Sequence, residues 1–220
     1  MTTLMLSRMH FPVTTLGPGR RIGLWVQGCT IRCPGCISMD TWASGTDPVS
    51  IGQIGGALRG WLDRADGITI TGGEPLEQEE AIVELLRDVR AALSGDVLVY
   101  TGLGADEALA RPLATSGLVD AMIPEPFRPG QPRTRALRGS DNQPLVPLTA
   151  LGRERYEPFI DAPPELALDA MFDTSGGTPL WLAGIPNGAD FLDLVAGLEA
   201  EGHRVTVTAD QRYRSERFDD

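Results

Sequence analysis

The stretch Gly67-Ile-Thr-Ile-Thr-Gly-Gly-Glu-Pro75, followed twenty residues on by Asp96-Val-Leu-Val-Tyr-Thr101, sets the fold of this chain. Both runs are short and β-branched, so each is predicted to be a strand. Between them Ile82, Leu85, Leu86, Val89 and Leu93 recur at helical spacing, and Ser94-Gly95 closes the segment. Strand, helix and strand joined by short connections require a right-handed crossover and a parallel pairing. The same alternation extends outward. Ile22-Gly-Leu-Trp-Val-Gln27 is an apolar run opening into a loop, and Ile51, Ile54, Leu58, Trp61 and Leu62 share one helical face. Residues 106 to 117 are predicted as a third helix, and Val119 to Ile123 as a fourth strand. From about Pro124 to Pro179 prolines recur and periodicity weakens, so long loops over the sheet are expected there. Pro179-Leu-Trp-Leu-Ala183 then reads as a strand, Phe191, Leu194, Val195 and Leu198 as a helix stripe, and His203-Arg-Val-Thr-Val-Thr208 as an alternating strand, a closing β-α-β unit.

The bulk properties narrow the function. At 220 residues the chain suits one well-buried domain, and 42% hydrophobic with 22% charged residues is ordinary for a globular protein. Every one of its 19 basic residues is arginine, which excludes a lysine-dependent phosphate loop and lysine Schiff-base chemistry. A net charge of -11 argues against nucleic acid as a partner. No apolar run approaches the roughly 18 residues of a membrane helix, and Arg8 and His10 break the N-terminal apolar run where a signal peptide would need continuity. The expectation is a cytoplasmic protein with neither a nucleic-acid nor a membrane partner.

Parallel sheets bind ligands beyond the carboxyl ends of their strands, and the unusual residues of this chain fall there. Gly28-Cys29-Thr-Ile-Arg-Cys33-Pro-Gly-Cys36 follows the first strand, Thr71-Gly-Gly-Glu-Pro75 the second, Thr101-Gly102 the third and Pro124-Glu-Pro-Phe127 the fourth. The chain's 3 cysteines all lie in the first of these loops, an odd and clustered set that suits a metal site in a reducing compartment better than disulfides. A structural zinc site requires four protein ligands, and His10 and His203 are distant in sequence. Spacing favours three thiolates on an iron-sulfur cluster with one iron left open, while zinc and inert buried thiols stay as alternatives. Each rim motif also has a plainer explanation. Glu74-Pro75 resembles an ordinary helix start, Thr41-Trp42 ordinary core, Thr101-Gly102 a common strand exit, and the arginines at 128 to 138 a solvated loop.

Taken together, Cys-x3-Cys-x2-Cys in the first loop and Gly-Gly-Glu-Pro after the second strand resemble the radical S-adenosylmethionine superfamily. The fuller string Gly28 to Cys36, with Thr41-Trp42 and Arg138-Gly-Ser-Asp-Asn-Gln143, is similar to the anaerobic ribonucleotide reductase activating proteins, over roughly residues 10 to 143. The resemblance implies an α/β fold, a partial (β/α) barrel with a mostly parallel sheet. Residues 1–143 would form the core, and residues 144–220 a β-α-β extension packed on the same sheet within one domain. It implies that Cys29, Cys33 and Cys36 are metal ligands and catalytic, holding a [4Fe-4S] cluster whose open iron meets S-adenosylmethionine. Gly35, Ile37, Trp42, Thr71, Gly72, Gly73, Glu74, Pro75 and Thr101 would contribute to cofactor binding, the glycines by close backbone approach and Glu74 by accepting from the ligand ammonium.

The activity implied is reductive cleavage of S-adenosylmethionine to a 5′-deoxyadenosyl radical that makes a glycyl radical on a large partner enzyme, an anaerobic ribonucleotide reductase. A flavodoxin- or ferredoxin-like protein would supply the electron. A same-superfamily enzyme acting on a small molecule or peptide, and a non-catalytic metal or iron-sulfur protein, remain alternatives. The chain departs from its family at Ser38, where asparagine is common, and at Pro124-Glu-Pro-Phe127, where an Asp-Gly-Pro-Phe-like turn is common.

Overall fold

The computed structural model describes residues 2–45, 47–165, 167–172, 180–186 and 188–205. A six-stranded sheet forms its centre, in the order β2 (Leu6–Val13), β3 (Arg21–Val26), β5 (Gly67–Gly72), β6 (Asp96–Tyr100), β7 (Ala121–Ile123) and β8 (Val146–Pro147). The four inner strands β3, β5, β6 and β7 run parallel, and the two outer strands run antiparallel to their neighbours. This is a mixed α/β architecture with a largely parallel central sheet. A short pair, β1 (Thr3–Leu4) with β4 (Val49–Ser50), leads into helix α1 (Ile51–Arg59), where Ser50 and Gln53 form a capping box.

Helices α1 and α2 (Glu79–Val89) cover one face of the sheet. Ile22, Leu24, Val26, Ile68, Ile70, Val97 and Val99 point toward that face, meeting Ile54 and Leu58 of α1 and Ile82, Leu85, Leu86 and Val89 of α2 in one buried cluster. Alternate residues serve the opposite face. There Leu98, Ala121 and Ile123 pack with Leu145 and Tyr156. Burial on both faces is why these strands read as nearly continuous apolar runs.

Near the amino ends of β3 and β6 the second face holds a buried charge pair. Arg21 grips Asp96 with both terminal nitrogens, at 2.7 and 3.1 Å, and both side chains are fully buried. The Arg21 Nε–H also donates to Thr69 at 2.6 Å, and the Tyr156 hydroxyl donates to the same Asp96 carboxylate. Tyr156 ends α5 (Ala150–Tyr156), so this network pins a late helix to the sheet. Burial beside the Asp96 carboxylate holds the Tyr156 phenol well above its ordinary pKa.

Several expectations need correction. The single helix expected over residues 106 to 117 is two, α3 (Ala105–Ala110) and α4 (Pro112–Thr115). Pro112 has no N–H to continue α3, and Arg111 before it is extended at φ -70° and ψ 150°. The stretch from Pro124 to Pro179 is not loop throughout, since it contains β8, α5 and β9 (Leu168–Phe172). The extension is also arranged differently from a β-α-β unit on the central sheet. Its first strand, β10 (Leu180–Gly184), pairs antiparallel with β9 in a separate two-stranded sheet, and α6 (Gly188–Ala200) follows. The strand expected over His203 to Thr208 falls partly outside the described residues, and residues 203–205 carry no strand. This small sheet docks beside β2, where Asp169 accepts from the N–H and hydroxyl groups of Thr14 and Thr15 at 2.7–3.0 Å. Arg8 of β2 stacks between Trp25 and Trp181, 5.4 and 4.9 Å from their ring centres.

The buried pair yields a stability prediction. Asp96→Ala strands the Arg21 guanidinium without a counter-charge and should cost about 3–5 kcal/mol in chemical denaturation of the metal-free protein. A loss below about 1 kcal/mol would show that Thr69 and backbone carbonyls satisfy Arg21 unaided.

Candidate metal and cofactor site

The loop after β3 carries the three cysteines, and backbone contacts seat it against the loop after β5. The Gly73 N–H donates to the Val26 carbonyl at 2.9 Å and the Glu74 N–H to the Gly28 carbonyl at 2.8 Å. A Cβ on Gly73 would lie 2.1 Å from the Gly28 oxygen, so only glycine permits this approach. Gly72 has φ +100°, and a Cβ there would meet the Trp25 and Val26 backbone at 2.8 Å. The missing side chains at 72 and 73 therefore make room for protein backbone, a structural demand that exists before any ligand binds. Farther along, the Gly28 and Cys29 N–H groups donate to the Thr41 and Trp42 carbonyls, and Gln27 reaches the Asp40 and Ala43 carbonyls. These bonds fold residues 28–42 back over the end of the sheet.

Glu74 is 1% exposed and carries the connection one strand further. Its Oε1 accepts from the Leu76 N–H at 2.9 Å and the Thr101 hydroxyl at 2.6 Å, and its Oε2 from the Gly102 N–H at 2.8 Å. Glu74 thus caps the turn Pro75–Gln78 and ties the β5 rim to the β6 rim; the helix-start interpretation and the rim interpretation of Glu74-Pro75 describe the same residue. Three donors leave a carboxylate with acceptor capacity to spare. Burial pushes the Glu74 carboxyl up, while the Thr101, Leu76 and Gly102 donors pull it down.

The three thiols are half-buried, with no disulfide among them. Burial pushes each above its usual pKa, Cys36 to about 11, with Glu74 and Glu77 adding negative charge near Cys29. Backbone N–H groups oppose this. The Arg32 and Ile31 N–H groups pull Cys29 down and that of Phe127 pulls Cys33 down, while the Ser38 N–H lies 3.4 Å from the Cys36 sulfur, which the Trp42 side chain also pulls down. An N–H donor at a cysteine sulfur suits a thiolate that ligates an iron-sulfur cluster. Among the described residues no group of three or more His, Cys, Asp or Glu is arranged to hold a single ion.

The structure brings most of the expected residues to this rim. Thr71 and Gly72 end β5, Pro75 is buried beneath Glu74, and Thr101 bonds Glu74 directly. Gly35 is buried at φ +72°, turning the chain between Cys33 and Cys36, and Ile37 is half-buried beside Cys36. Other residues had not been singled out. Glu77 accepts from the N–H and hydroxyl of Thr30, Ile31 packs against Gly102, and Asp40 pairs with Arg8 at 2.6 Å. In the loop after β7, Glu125 stands where the expected Asp-Gly-Pro-Phe-like turn would have glycine and keeps a left-handed backbone, φ +83°. Its N–H bonds the Leu103 carbonyl and its carboxylate caps Ala105, so hydrogen bonds offset a conformation costing about 1–3 kcal/mol.

Residues 15–146 match the family described as a 4Fe-4S single cluster domain. The anaerobic ribonucleoside-triphosphate reductase-activating protein of Escherichia coli is 32% identical over 143 residues, 61% of this chain and 93% of that protein. The chain belongs to this family of 4Fe-4S activating proteins. The enterobacteria phage T4 relative of the same name is 31% identical over 59% of this chain and 85% of its own. The pyruvate formate-lyase-activating enzyme of Listeria monocytogenes is 35% identical over 99 residues, 41% of this chain and 40% of that enzyme. The match stops near residue 146, so α5, the β9–β10 sheet and α6 lie beyond the shared portion. As in its family, this chain is a radical S-adenosylmethionine activase that uses a [4Fe-4S] cluster. No helix among the described residues is long and apolar enough to cross a membrane.

Two substitutions probe the rim. Gly73→Ala forces a methyl against the Gly28 carbonyl, which cannot rotate away, and should cost about 1–3 kcal/mol in thermal or urea unfolding, with lowered iron uptake. At position 125, alanine keeps the left-handed strain and loses the Ala105 cap, whereas glycine relieves the strain. Glu125→Ala should therefore be less stable than Glu125→Gly by about 1 kcal/mol. Equal stabilities would show that the turn adopts another conformation.

Proposed function

We propose that the cluster sits on Cys29, Cys33 and Cys36, that S-adenosylmethionine binds between them and the Thr71–Pro75 rim, and that the partner is an anaerobic ribonucleotide reductase. The observation that carries this is the joining of the cysteine loop to the rim after β5 by the Glu74 N–H on the Gly28 carbonyl, beside the Gly73 N–H on Val26 at the end of β3. Cys29, Cys33 and Cys36 would hold a [4Fe-4S] cluster, which when reduced would supply the electron for reductive cleavage of S-adenosylmethionine, the radical chemistry then being directed at a glycine of the partner.

The chain's own groups prepare that chemistry. The three thiols lose their protons when they ligate, and the Ser38 N–H at the Cys36 sulfur stabilises the charge left there. Glu74, fixed by three protein donors, keeps an acceptor position for the ligand's ammonium at no cost in reorganisation. Gly35 and Ile37, which flank Cys36 in the chain, would meet the adenosyl end, and Trp42, Thr71, Gly72, Gly73, Pro75 and Thr101 would complete the cofactor site. We take the parallel strands β3, β5, β6 and β7 with their covering helices as a partial (β/α) barrel, residues 1–143 as the core, and residues 144–220 as an appended part of the same domain. A one-electron, low-potential carrier of the flavodoxin or ferredoxin type suits the cluster. Three free cysteines in one loop suit a reducing, cytoplasmic setting.

Anaerobic reconstitution with iron and sulfide, followed by S-adenosylmethionine and dithionite, should yield 5′-deoxyadenosine and methionine. Cys33→Ala should lose both the cluster absorption and the cleavage. Iron bound by the cysteines of the wild-type protein without any 5′-deoxyadenosine would refute the proposed site. A glycyl radical signal on mixing with the reductase would identify the partner, and its absence alongside normal cleavage would point to another substrate.

A further inference from the structure

Arg8 touches three parts of the molecule at once. It stands opposite Trp25 in the pairing of β2 with β3, and its guanidinium lies over both the Trp25 ring and the Trp181 ring of β10. Its Nη1–H group donates to Asp40 Oδ2 at 2.6 Å and to the Ser7 hydroxyl oxygen at 3.2 Å. Asp40 belongs to the cysteine loop, whereas Trp181 lies beyond residue 146, where the family match stops. The appended part of the chain therefore reaches the cysteine loop through Arg8.

Both ends of this chain of contacts are anchored. Trp181 packs with Val13, Leu16, Trp25 and Ala183, and the Thr15 hydroxyl donates to the Ala183 carbonyl at 3.2 Å. An aromatic face on either side suits the planar guanidinium and limits where it can point. At the other end Asp40 sits in the turn Met39–Thr41. Arg8 is the ion-pair partner of its carboxylate, and Asp40 Oδ1 is buried with no hydrogen bond among the described residues. A carboxylate so placed is costly to leave without its cation. The same turn holds the start of the loop, since the Thr41 and Trp42 carbonyls accept from the Gly28 and Cys29 N–H groups at 2.8 and 3.2 Å. Freeing Asp40 thus frees the backbone that seats the first cysteine and Trp42.

We infer that Arg8 is a positioning residue: held between Trp25 and Trp181, it fixes the turn Met39–Thr41 and so keeps Cys29 and Trp42 in place for S-adenosylmethionine. The inference rests on the site proposed above. It gives the appended part a role in that site without placing any of its residues there, because Trp181 acts through Arg8.

The test compares the wild-type protein with Arg8→Met, which keeps an apolar stem between the rings and loses the charge, with Trp181→Leu, which loses the ring, and with Trp181→Phe, which keeps one. In the metal-free proteins, trypsin cleavage after Arg32, an exposed residue of the cysteine loop, reads the freedom of that loop. In the reconstituted, reduced proteins, the electron paramagnetic resonance signal titrated with S-adenosylmethionine reads binding. Arg8→Met and Trp181→Leu should each be cut faster and bind S-adenosylmethionine about threefold or more weakly, the lower range of coupling between residues in contact. Trp181→Phe should match wild type in both readings, and adding Trp181→Leu to Arg8→Met should change neither further. If Arg8→Met does not fold, the two Trp181 variants decide. Wild-type cleavage in Trp181→Leu, or equal defects in Trp181→Leu and Trp181→Phe, would overturn the link through the ring. Faster cleavage with wild-type binding would overturn the positioning role and leave a purely structural clamp. A wild-type protein with an assembled cluster that ignores S-adenosylmethionine would instead refute the proposed site, while the cleavage rates would still report the clamp.

Discussion

The contact on which the site depends is the approach of Gly73 to the carbonyl of Gly28. Two backbone hydrogen bonds, to Val26 at the end of β3 and to Gly28 in the loop after it, lock the loop after β5 there, at a distance no side chain would allow. Everything nearer the chemistry is referred to that lock. It fixes where residues 28–42 leave the sheet, and hence where the thiols stand. It also orients Glu74, whose carboxylate extends the same tie to Thr101 and Gly102 on the next strand. Rigid rims built this way hold a ligand's partners in place before the ligand arrives, which is the condition for electrostatic preorganisation.

The opposite end of the sheet is fixed by a different means. Arg21 and Asp96 form a buried bidentate pair with Thr69 and Tyr156 attached, and the pair joins β3, β5, β6 and α5. Such a pair contributes little net stability, but each member is costly to leave alone, so it discourages other registers of these strands. The parallel strands are thus held at one end by charge and at the other by backbone packing. Between the two ends apolar side chains fill both faces.

The central sheet was legible because its strands are apolar on both faces and its helices carry clean 3.6-residue stripes. The cysteine loop and the Gly-Gly-Glu-Pro turn were legible because few other chemistries use that spacing. Strand β2 was hidden. Arg8 and His10 interrupt its apolar pattern, and two register shifts against β3 break the alternation. Helix α5 was hidden for another reason, since its seven residues bury only Gly152 and Tyr156, and Gly152 is required because a Cβ would collide with the Asp120 carbonyl. The break at Pro112 was visible in principle, because proline cannot continue a helix begun seven residues earlier. The hold of residues 138–143 on residues 125–128 could not be read locally, because its hydrogen bonds join positions up to 18 residues apart.

The claim that three cysteines of this chain leave one iron of a [4Fe-4S] cluster for S-adenosylmethionine is tested most directly by Mössbauer spectroscopy of protein reconstituted with iron-57. The account predicts that adding S-adenosylmethionine changes the signal of about one quarter of the cluster iron and leaves the rest unchanged. A spectrum indifferent to S-adenosylmethionine, in protein with a fully assembled cluster, would contradict it.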